Sequence, residues 1–410
     1  MGENTDHATA LAELGEEYFQ DPHAFHAHLR EESAARPVLL PRGLKVWLVS
    51  RYDEGRLALA DPRFSKDFAG FQPLFERHFT GTEPTQFEQS LVKHMLNSDP
   101  PTHTRMRKLV TKAFTARRVE QLRPRVQQIT DELLDAVAGR RETDLVEALA
   151  LPLPITVICE MLGIPPEDRD DFRRWSTILV AGNEPHLVEA AGPAMAGYLN
   201  GLVDAKRADP GDDIFSALVH ATDENDRLDQ VELISMAFLL LVAGHETTVN
   251  LIATGVHSLL LHPEQLDKLR ADRTLLPGAV EEFLRYEGPI NQATFRFTTE
   301  EVTLGDVTIP AGEFVLVSLL SANRDENRFP DAGTFDITRP AGGHLAFGHG
   351  VHHCLGAPLA RLEGEIAVGT LLDRYDIELA APPETLRWRA STLMRGLHTL
   401  PVSLSPRGPR

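Results

Sequence analysis

Cysteine and long hydrophobic runs are scarce in this chain. Its 410 residues include two cysteines, Cys159 and Cys354, which excludes a disulfide framework and predicts a reducing, cytoplasmic location. Apolar stretches are interrupted before the roughly 18 residues that a membrane span needs. The N-terminal stretch MGENTDHATALAELGEE is polar and acidic, which is not the pattern of a signal peptide. We therefore expect a cytoplasmic protein without a membrane anchor.

Positive charge is also in deficit. The chain has 41 Lys and Arg against 60 Asp and Glu, a net charge of -19. Nucleic-acid phosphates would be repelled, so we expect no nucleic-acid partner. The apolar share of 42% and the charged share of 25% are typical of a globular protein. No repeat or low-complexity linker marks a second domain, so we expect one domain over residues 1–410.

Helical patterns dominate the sequence. The longest, over residues 230–265, is apolar on most sides, which is typical of a helix at the centre of a large fold. Further helices are predicted over residues 11–35, 119–139, 275–287 and 357–375. Strands are predicted over residues 37–52, 297–320 and 376–404, and a long loop with short helices over 63–98. Composition and periodicity alone thus predict a large helix-rich protein with some strands.

The two cysteines lie in different settings. Cys159, in the apolar stretch ITVICEML, is predicted to be a core residue. Cys354 lies among glycines and histidines in HLAFGHGVHHCLGAPLARLE, residues 344–363. A zinc site could use His344, His349, His352, His353 and Cys354, although structural zinc sites usually hold several cysteines. A catalytic nucleophile would need a base and an orienting acid. A single axial ligand would need a larger cofactor. A buried structural cysteine would need none of these.

The axial-ligand interpretation accounts for the most residues. Cys354 directly precedes a predicted helix, where backbone N–H groups near Leu355 and Gly356 would favour the thiolate. Glycines such as Gly350 would let the backbone pass close to a flat ring. Phe347 could shield the sulfur from water. An anionic sulfur held in this way can ligate haem iron.

The pattern Phe347-x-x-Gly350-x-His352-x-Cys354-x-Gly356 resembles the haem-binding signature of the cytochrome P-450 family. The resemblance implies heme b (iron protoporphyrin IX) as the cofactor, bound by these residues. It also implies Cys354 as the metal ligand, with His352 hydrogen-bonded to a haem propionate. The implied fold is mainly α with small β-sheets: a single triangular domain and monomer, with haem buried between the long central helix and the cysteine-ligand helix.

The long helix contains AGHETT, residues 243–248. Taken alone, the glycine and glutamate favour a kinked core helix whose Glu246 finds a partner. The segment also resembles the oxygen-binding groove of the family. That resemblance implies that Ala243 and Gly244 make room for dioxygen. It further implies that Glu246 and Thr247 form an acid–alcohol pair delivering protons for O–O cleavage.

Further motifs resemble cofactor contacts. His103 and Arg107 lie four residues apart on a predicted helix, which alone would be an ordinary solvated basic turn. The resemblance implies that both residues, and Arg296, contact haem propionates, for which the fork of arginine is suited.

Glu282 and Arg285, in EEFLRY, share one helix face, and an exposed ion pair is the common outcome of this spacing. The resemblance instead implies a buried structural group, joined by Arg339, that holds the cysteine loop.

The implied reaction is monooxygenation, the insertion of one oxygen atom from O2 as a hydroxyl group or an epoxide. No Gly-x-Gly-x-x-Gly fingerprint follows a strand, so we expect a ferredoxin and a ferredoxin reductase as electron donors. A basic docking patch for ferredoxin is predicted from Arg105, Lys108, Lys112, Arg117, Arg118 and Arg361. A peroxygenase and a haem-binding sensor or carrier are the alternatives.

The substrate pocket is expected to use residues 63–98, 175–190, 290–295 and 391–396. Its individual lining residues are predicted to be Val242, Ala243, Asn291, Thr294, Leu393 and Met394. This mixture suits a bulky, mainly apolar small molecule with a few oxygens. The sequence is similar to family members that tailor macrolides and other polyketides, so macrolide antibiotic biosynthesis is the expected role. Steroid, terpenoid and fatty-acid substrates stay open.

Overall fold

The computed structural model describes residues 11–81, 88–181, 184–223 and 226–407. The described residues form sixteen α-helices: α1 (Glu16–Gln20), α2 (His23–Glu32), α3 (Tyr52–Ala60), α4 (Phe68–His78), α5 (Thr102–Ala113), α6 (Ala116–Gln121), α7 (Arg123–Ala136), α8 (Pro152–Leu162), α9 (Arg169–Ala181), α10 (Pro185–Ala208), α11 (Ile214–Val219), α12 (Gln230–Leu261), α13 (Pro263–Ala271), α14 (Leu276–Tyr286), α15 (Leu319–Ala322) and α16 (Ala357–Arg374). The first ten residues of the polar N-terminal stretch, on which the signal-peptide expectation rests, lie outside the described part.

The strands of the described part are short: β1 (Ala12–Glu13), β2 (Ala35–Leu39), β3 (Lys45–Val49), β4 (Phe64–Ser65), β5 (Glu142–Asp144), β6 (Arg296–Thr298), β7 (Val302–Leu304), β8 (Val307–Ile309), β9 (Phe314–Val317), β10 (Tyr375–Leu379) and β11 (Pro401–Pro406). They form a six-stranded sheet in the order β1-β2-β3-β9-β6-β4, a three-stranded sheet β10-β11-β5 and the hairpin β7-β8. In the largest sheet β3 runs parallel to β9, with Trp47 opposite Val315. The prediction of a mainly helical fold with small sheets is confirmed.

Helix α12 is the central element of the fold. A capping box starts it, in which the Asp229 side chain accepts from the Glu232 backbone and the Glu232 side chain accepts from the Asp229 backbone. The helix is long and apolar enough to cross a membrane, but 67% of its most apolar window is buried inside the fold, against α8, α14 and α16. It ends at Leu261, earlier than predicted, because Pro263 begins α13 instead.

Two predicted helices are wrong as continuous elements. Residues 11–35 contain β1, α1 and α2, separated at Asp21 and Pro22, and reach β2 at Ala35. Residues 119–139 are divided at Leu122 between α6 and α7, where Pro124 occupies the first turn of the second helix. In both places a proline without a backbone N–H starts a new helix in preference to continuing the old one.

Candidate functional site

A cavity lies between α12 and the loop that precedes α16. Ala243 and Thr247 of α12 line it from one side, and Phe347 and Cys354 from the loop line it from the other. Most other wall positions are apolar, among them Phe114, Leu239, Leu240, Leu251, Ile290 and Leu393. The fold therefore places a single thiol opposite the AGHETT segment, in a predominantly apolar chamber.

The loop of residues 344–356, which we call the cysteine loop, is held by its own backbone. The Cys354 N–H donates to the Phe347 carbonyl at 2.9 Å, and the His353 N–H donates to the Gly350 carbonyl at 3.1 Å. Gly350 has a φ of +73°. A Cβ there would lie 3.0 Å from the Ala60 Cα atom, so its close approach is to α3. This differs from the expected approach to a ring in the cavity.

Two opposing effects act on the Cys354 thiol. Burial raises its pKa, while hydrogen bonds from the backbone N–H groups of Gly356 and Ala357 and the charges of Arg107 and Arg361 lower it. The N-terminus of α16 thus favours the thiolate, as expected. The N–H groups involved are those of Gly356 and Ala357, whereas Leu355 and Gly356 were predicted. A metal ion bound at the sulfur would add a further contribution that favours the thiolate.

The zinc interpretation of the cysteine loop is wrong. Among the described residues no group of three or more histidine, cysteine and acidic side chains is arranged to hold a metal ion. The His344 ring points to Glu281, with Nε2 3.2 Å from the carboxylate. The His352 ring instead faces His103 across the chain, with ring centroids 4.4 Å apart. These histidines therefore point to different partners and do not converge on Cys354.

One end of the cavity is rich in cationic and imidazole groups. His103, Arg107, Arg296 and His352, all proposed from the sequence, line it together. His103 is buried, and neither of its ring nitrogens has a hydrogen-bond partner among the described residues. The Arg107 guanidinium donates to the His353 carbonyl at 2.6 Å. Burial is the main cause that lowers the pKa of His352, to about 2, so this imidazole is neutral.

Sequence reasoning missed Lys66 at the same end of the cavity. It is buried, and its ammonium donates to the Thr294 hydroxyl, next to Arg296. No local motif marks it, because it follows β4 and meets the other cations only through the sheet pairing of β4 with β6. The unpartnered imidazole of His103 and the buried cations Lys66 and Arg296 together fit a ligand with carboxylate groups, such as the two propionates of haem.

The polar groups of α12 separate into two sets. Thr247 lines the cavity and donates to the Ala243 carbonyl at 2.9 Å. Glu246 does not line it: its buried carboxylate lies 3.3 Å from Arg389 and 3.7 Å from the His245 ring. Gly244 lines the cavity, but a Cβ there would be 2.9 Å from the Ile158 side chain, so tight packing against α8 explains the glycine.

A buried ion triad lies beneath the cysteine loop. Glu282 and Arg285 are both fully buried and pair at 2.7 Å, and Arg339 lies 3.6 Å from the same carboxylate. Arg285 also donates to the Asn323 carbonyl at 3.1 Å, and the Asn323 side chain accepts from the Leu345 N–H at 2.6 Å. The triad is therefore connected to the start of the cysteine loop through one asparagine.

Comparisons with known proteins now identify the family. A family model described as Cytochrome P450 matches residues 200–402. Vitamin D(3) 25-hydroxylase of Pseudonocardia autotrophica is 47% identical, covering 95% of this chain and 95% of that protein. 6-Deoxyerythronolide B hydroxylase of Saccharopolyspora erythraea is 45% identical, over 97% of this chain and 99% of that protein. The chain belongs to the cytochrome P450 family. The tirandamycin C-bound P450 monooxygenase TamI is 51% identical with a TM-score of 0.89, over 96% of this chain and 100% of that one.

Membership makes this chain a P450 monooxygenase with haem as its cofactor. The residues present fit that group. The cavity has a thiol in one wall, a cationic end with unpartnered His103 nitrogens, and apolar surfaces for the ring. The chemistry of the cavity therefore agrees with the sequence signature and adds residues outside it, such as His103.

Several predicted substrate-pocket residues do not line the P450 cavity. Ala243, Thr294 and Leu393 do, whereas Val242, Asn291 and Met394 are absent from its described walls. The Asn291 amide instead donates to the Ser391 and Met394 carbonyls, both at 2.9 Å. Of the segment 63–98 only Met95 and Leu96 reach the cavity, and residues 82–87 lie outside the described part, as do 182–183 of the segment 175–190.

Four of the six basic residues predicted to dock ferredoxin pair with carboxylates. Lys108 and Lys112 each pair with Asp223 at 2.6 Å, and Arg105 pairs with Asp226 at 3.3 Å. Arg361 pairs with Glu281 at 2.6 Å and lies over the Phe347 ring at 4.6 Å.

Glu281 therefore connects α14 to both the cysteine loop and α16. Its hydrogen bonds with Arg361 and His344 lower the pKa of its carboxyl to about 2 against the effect of burial. Sequence reasoning gave Glu281 no role.

Proposed function

We propose that this P450 monooxygenase oxidises a bulky, mainly apolar polyketide of the macrolide type, by hydroxylation or epoxidation, in the cytoplasm. The observation that carries the proposal is the long apolar wall above Cys354, formed by residues such as Leu239, Ile290 and Leu393, with polar groups confined to a few positions. Such a wall selects by shape and hydrophobicity. The names of two relatives, which specify 6-deoxyerythronolide B and tirandamycin C, support this substrate class.

The residues of the cavity and of the cysteine loop have separate roles in this reaction. Cys354 would hold the haem iron through its sulfur, and His103, Arg107, Arg296 and His352 would hold the propionates. Bound haem with a thiolate ligand supplies dioxygen activation and the transfer of one oxygen atom to a C–H bond or an alkene. The apolar residues of the cavity orient the substrate and exclude water. The triad of Glu282, Arg285 and Arg339 fixes the cysteine loop.

The substrate class is tested by turnover with a ferredoxin, its reductase, NADPH and 18O2, on a panel of macrolactones, secosteroids, terpenoids and fatty acids. We expect one 18O atom in products from the macrolactones, and a shift of the Soret band on their binding. Secosteroids are an important comparison in this panel, because a vitamin D(3) hydroxylase is among the relatives. Turnover of fatty acids alone would contradict the proposal, and turnover with H2O2 but not with ferredoxin would favour a peroxygenase.

Thr247 is proposed to hold the proton that the reaction consumes, at its Oγ1 atom, because it lines the cavity beside Ala243. Thr248, the other hydroxyl of AGHETT in the lining, is buried. Glu246 can serve Thr247 only if its carboxylate leaves Arg389, 3.3 Å away. We expect Thr247→Ala to lower product formed per NADPH about 10-fold or more and to release H2O2, since general acid groups contribute rate factors of this order.

Thr247→Ser is the matched control, because it keeps the hydroxyl group, and its coupling should stay close to the unmodified value. Product and H2O2 are both quantified against NADPH consumed. A fully coupled Thr247→Ala enzyme would remove the proton-holding role.

A further inference from the structure

Lys66 is a buried lysine without an ion pair among the described residues. Only 6% of the surface of this residue is exposed, and its ammonium donates to the Thr294 hydroxyl. The nearby Asp99 carboxylate is already engaged: it accepts from the Lys66 backbone N–H at 3.0 Å and from the Ser65 hydroxyl. Burial of an ammonium costs several kcal/mol unless an anion compensates it. Burial accordingly holds the pKa of the Lys66 ammonium well below its usual range, and an anion bound beside it would favour the charged form.

The surroundings of Lys66 indicate what that anion is. Three cations lie together here, because Arg107 and Arg296 line the same cavity as Thr294, to which the Lys66 ammonium is hydrogen-bonded. The carboxylate of Asp99 neutralises one of them. With Lys66 charged beside a bound anion, two positive charges remain at this end of the cavity. A dianion with two separate carboxylates matches this balance, and Arg107 and Arg296 are each suited to one carboxylate.

Thr294 shows how Lys66 reaches the cavity. Thr294 lines the cavity, whereas Lys66 lies behind it. Because the Thr294 oxygen accepts from Lys66, its own O–H is free to donate to a ligand. Lys66 thus supplies charge and also sets the direction of a hydroxyl donor.

We propose that Lys66, together with the Thr294 hydroxyl, binds a haem propionate and completes its charge balance. This assignment moves Thr294 from the substrate wall to the cofactor site. It rests on the haem cofactor of the family and adds a binding residue that the haem signature does not contain.

The test measures haem transfer from the protein to apomyoglobin, for haem and for haem dimethyl ester, whose propionates carry no charge. We expect Lys66→Met to lose haem about 10- to 100-fold faster than the unmodified protein, the range for one charge-assisted hydrogen bond. Lys66→Arg should restore most of the difference. With the dimethyl ester, Lys66→Met and the unmodified protein should lose the cofactor at the same rate.

Lys206→Met is the matched control, because Lys206 is also largely buried but pairs with Asp213 at 2.6 Å, outside the cavity lining. Its haem loss should equal that of the unmodified protein. If Lys66→Met proves unstable, Lys66→Gln, which keeps a hydrogen-bond donor without the charge, provides the same comparison of haem with its ester.

Equal haem loss from Lys66→Met and the unmodified protein, or the same acceleration with haem and ester, would overturn the proposal. Failure of the unmodified protein to bind haem would instead contradict the cofactor itself.

Discussion

Cys354→Ser is expected to abolish monooxygenase turnover and the thiolate-type Soret spectrum while the protein still binds haem. The hydroxyl of serine is a far weaker iron ligand than a thiolate, whereas the cationic end of the cavity and its apolar walls are unchanged. Binding and ligation are therefore separable in this variant. The measurements are haem content, the Soret spectrum and turnover with ferredoxin and reductase.

Cys159→Ala is the matched control for this experiment. Cys159 is fully buried in α8, and burial raises the pKa of its thiol to about 12, so it is a core side chain. Its replacement should leave both the spectrum and turnover in place. A thiolate-type spectrum that survives Cys354→Ser would contradict the proposed ligand.

Glu282→Gln is expected to lower the free energy of unfolding by about 3–5 kcal/mol, the cost of leaving a buried charge without its partner. Arg285 has no exposed surface, so water cannot replace the lost carboxylate. Loss of its anchoring should also loosen Asn323, and with it the cysteine loop. Urea unfolding of the haem-bound protein gives the stability, and haem transfer to apomyoglobin reports on the loop.

The chain offers a control with the same spacing. Glu120 and Arg123 also lie three residues apart and pair at 2.5 Å, but on an exposed surface. We expect Glu120→Gln to have little effect, since water and salt screen such pairs. Equal stability of Glu282→Gln and Glu120→Gln would show that the buried triad does not hold the fold.

Local sequence was sufficient to predict an element when the pattern that identifies it lies within one continuous segment. The apolar pattern predicted α12, and the helix signals after Cys354 predicted α16, which begins at Ala357. The haem signature is continuous in sequence, and Phe347, His352, Cys354 and Gly356 of that segment line the cavity, whereas Gly350 packs against α3.

Local sequence was insufficient to predict which way each side chain of a helix points. Successive residues of a helix point about 100° apart, so residues adjacent to a cavity residue face elsewhere. Thr247 lines the cavity and Glu246 does not, and Ala243 lines it while Val242 does not. A motif therefore names the segment correctly but includes side chains that point into the core.

Residues brought together from distant segments were beyond a local analysis. Lys66 meets Thr294 across 228 positions, and Glu281 meets Arg361 across 80. Lys66 lies in no recognisable motif, and Glu281 is the residue of EEFLRY to which the motif assigns no role. Both were found from burial and from hydrogen-bond partners, which only the folded chain defines.

The carbon monoxide difference spectrum of the reduced, haem-loaded protein tests the central claim most directly. The claim is that Cys354, alone among the cysteine-loop residues, is the iron ligand of this cavity. The account predicts the red-shifted Soret band of thiolate-ligated haem. An imidazole-type band, or a protein that takes up no haem, would contradict it.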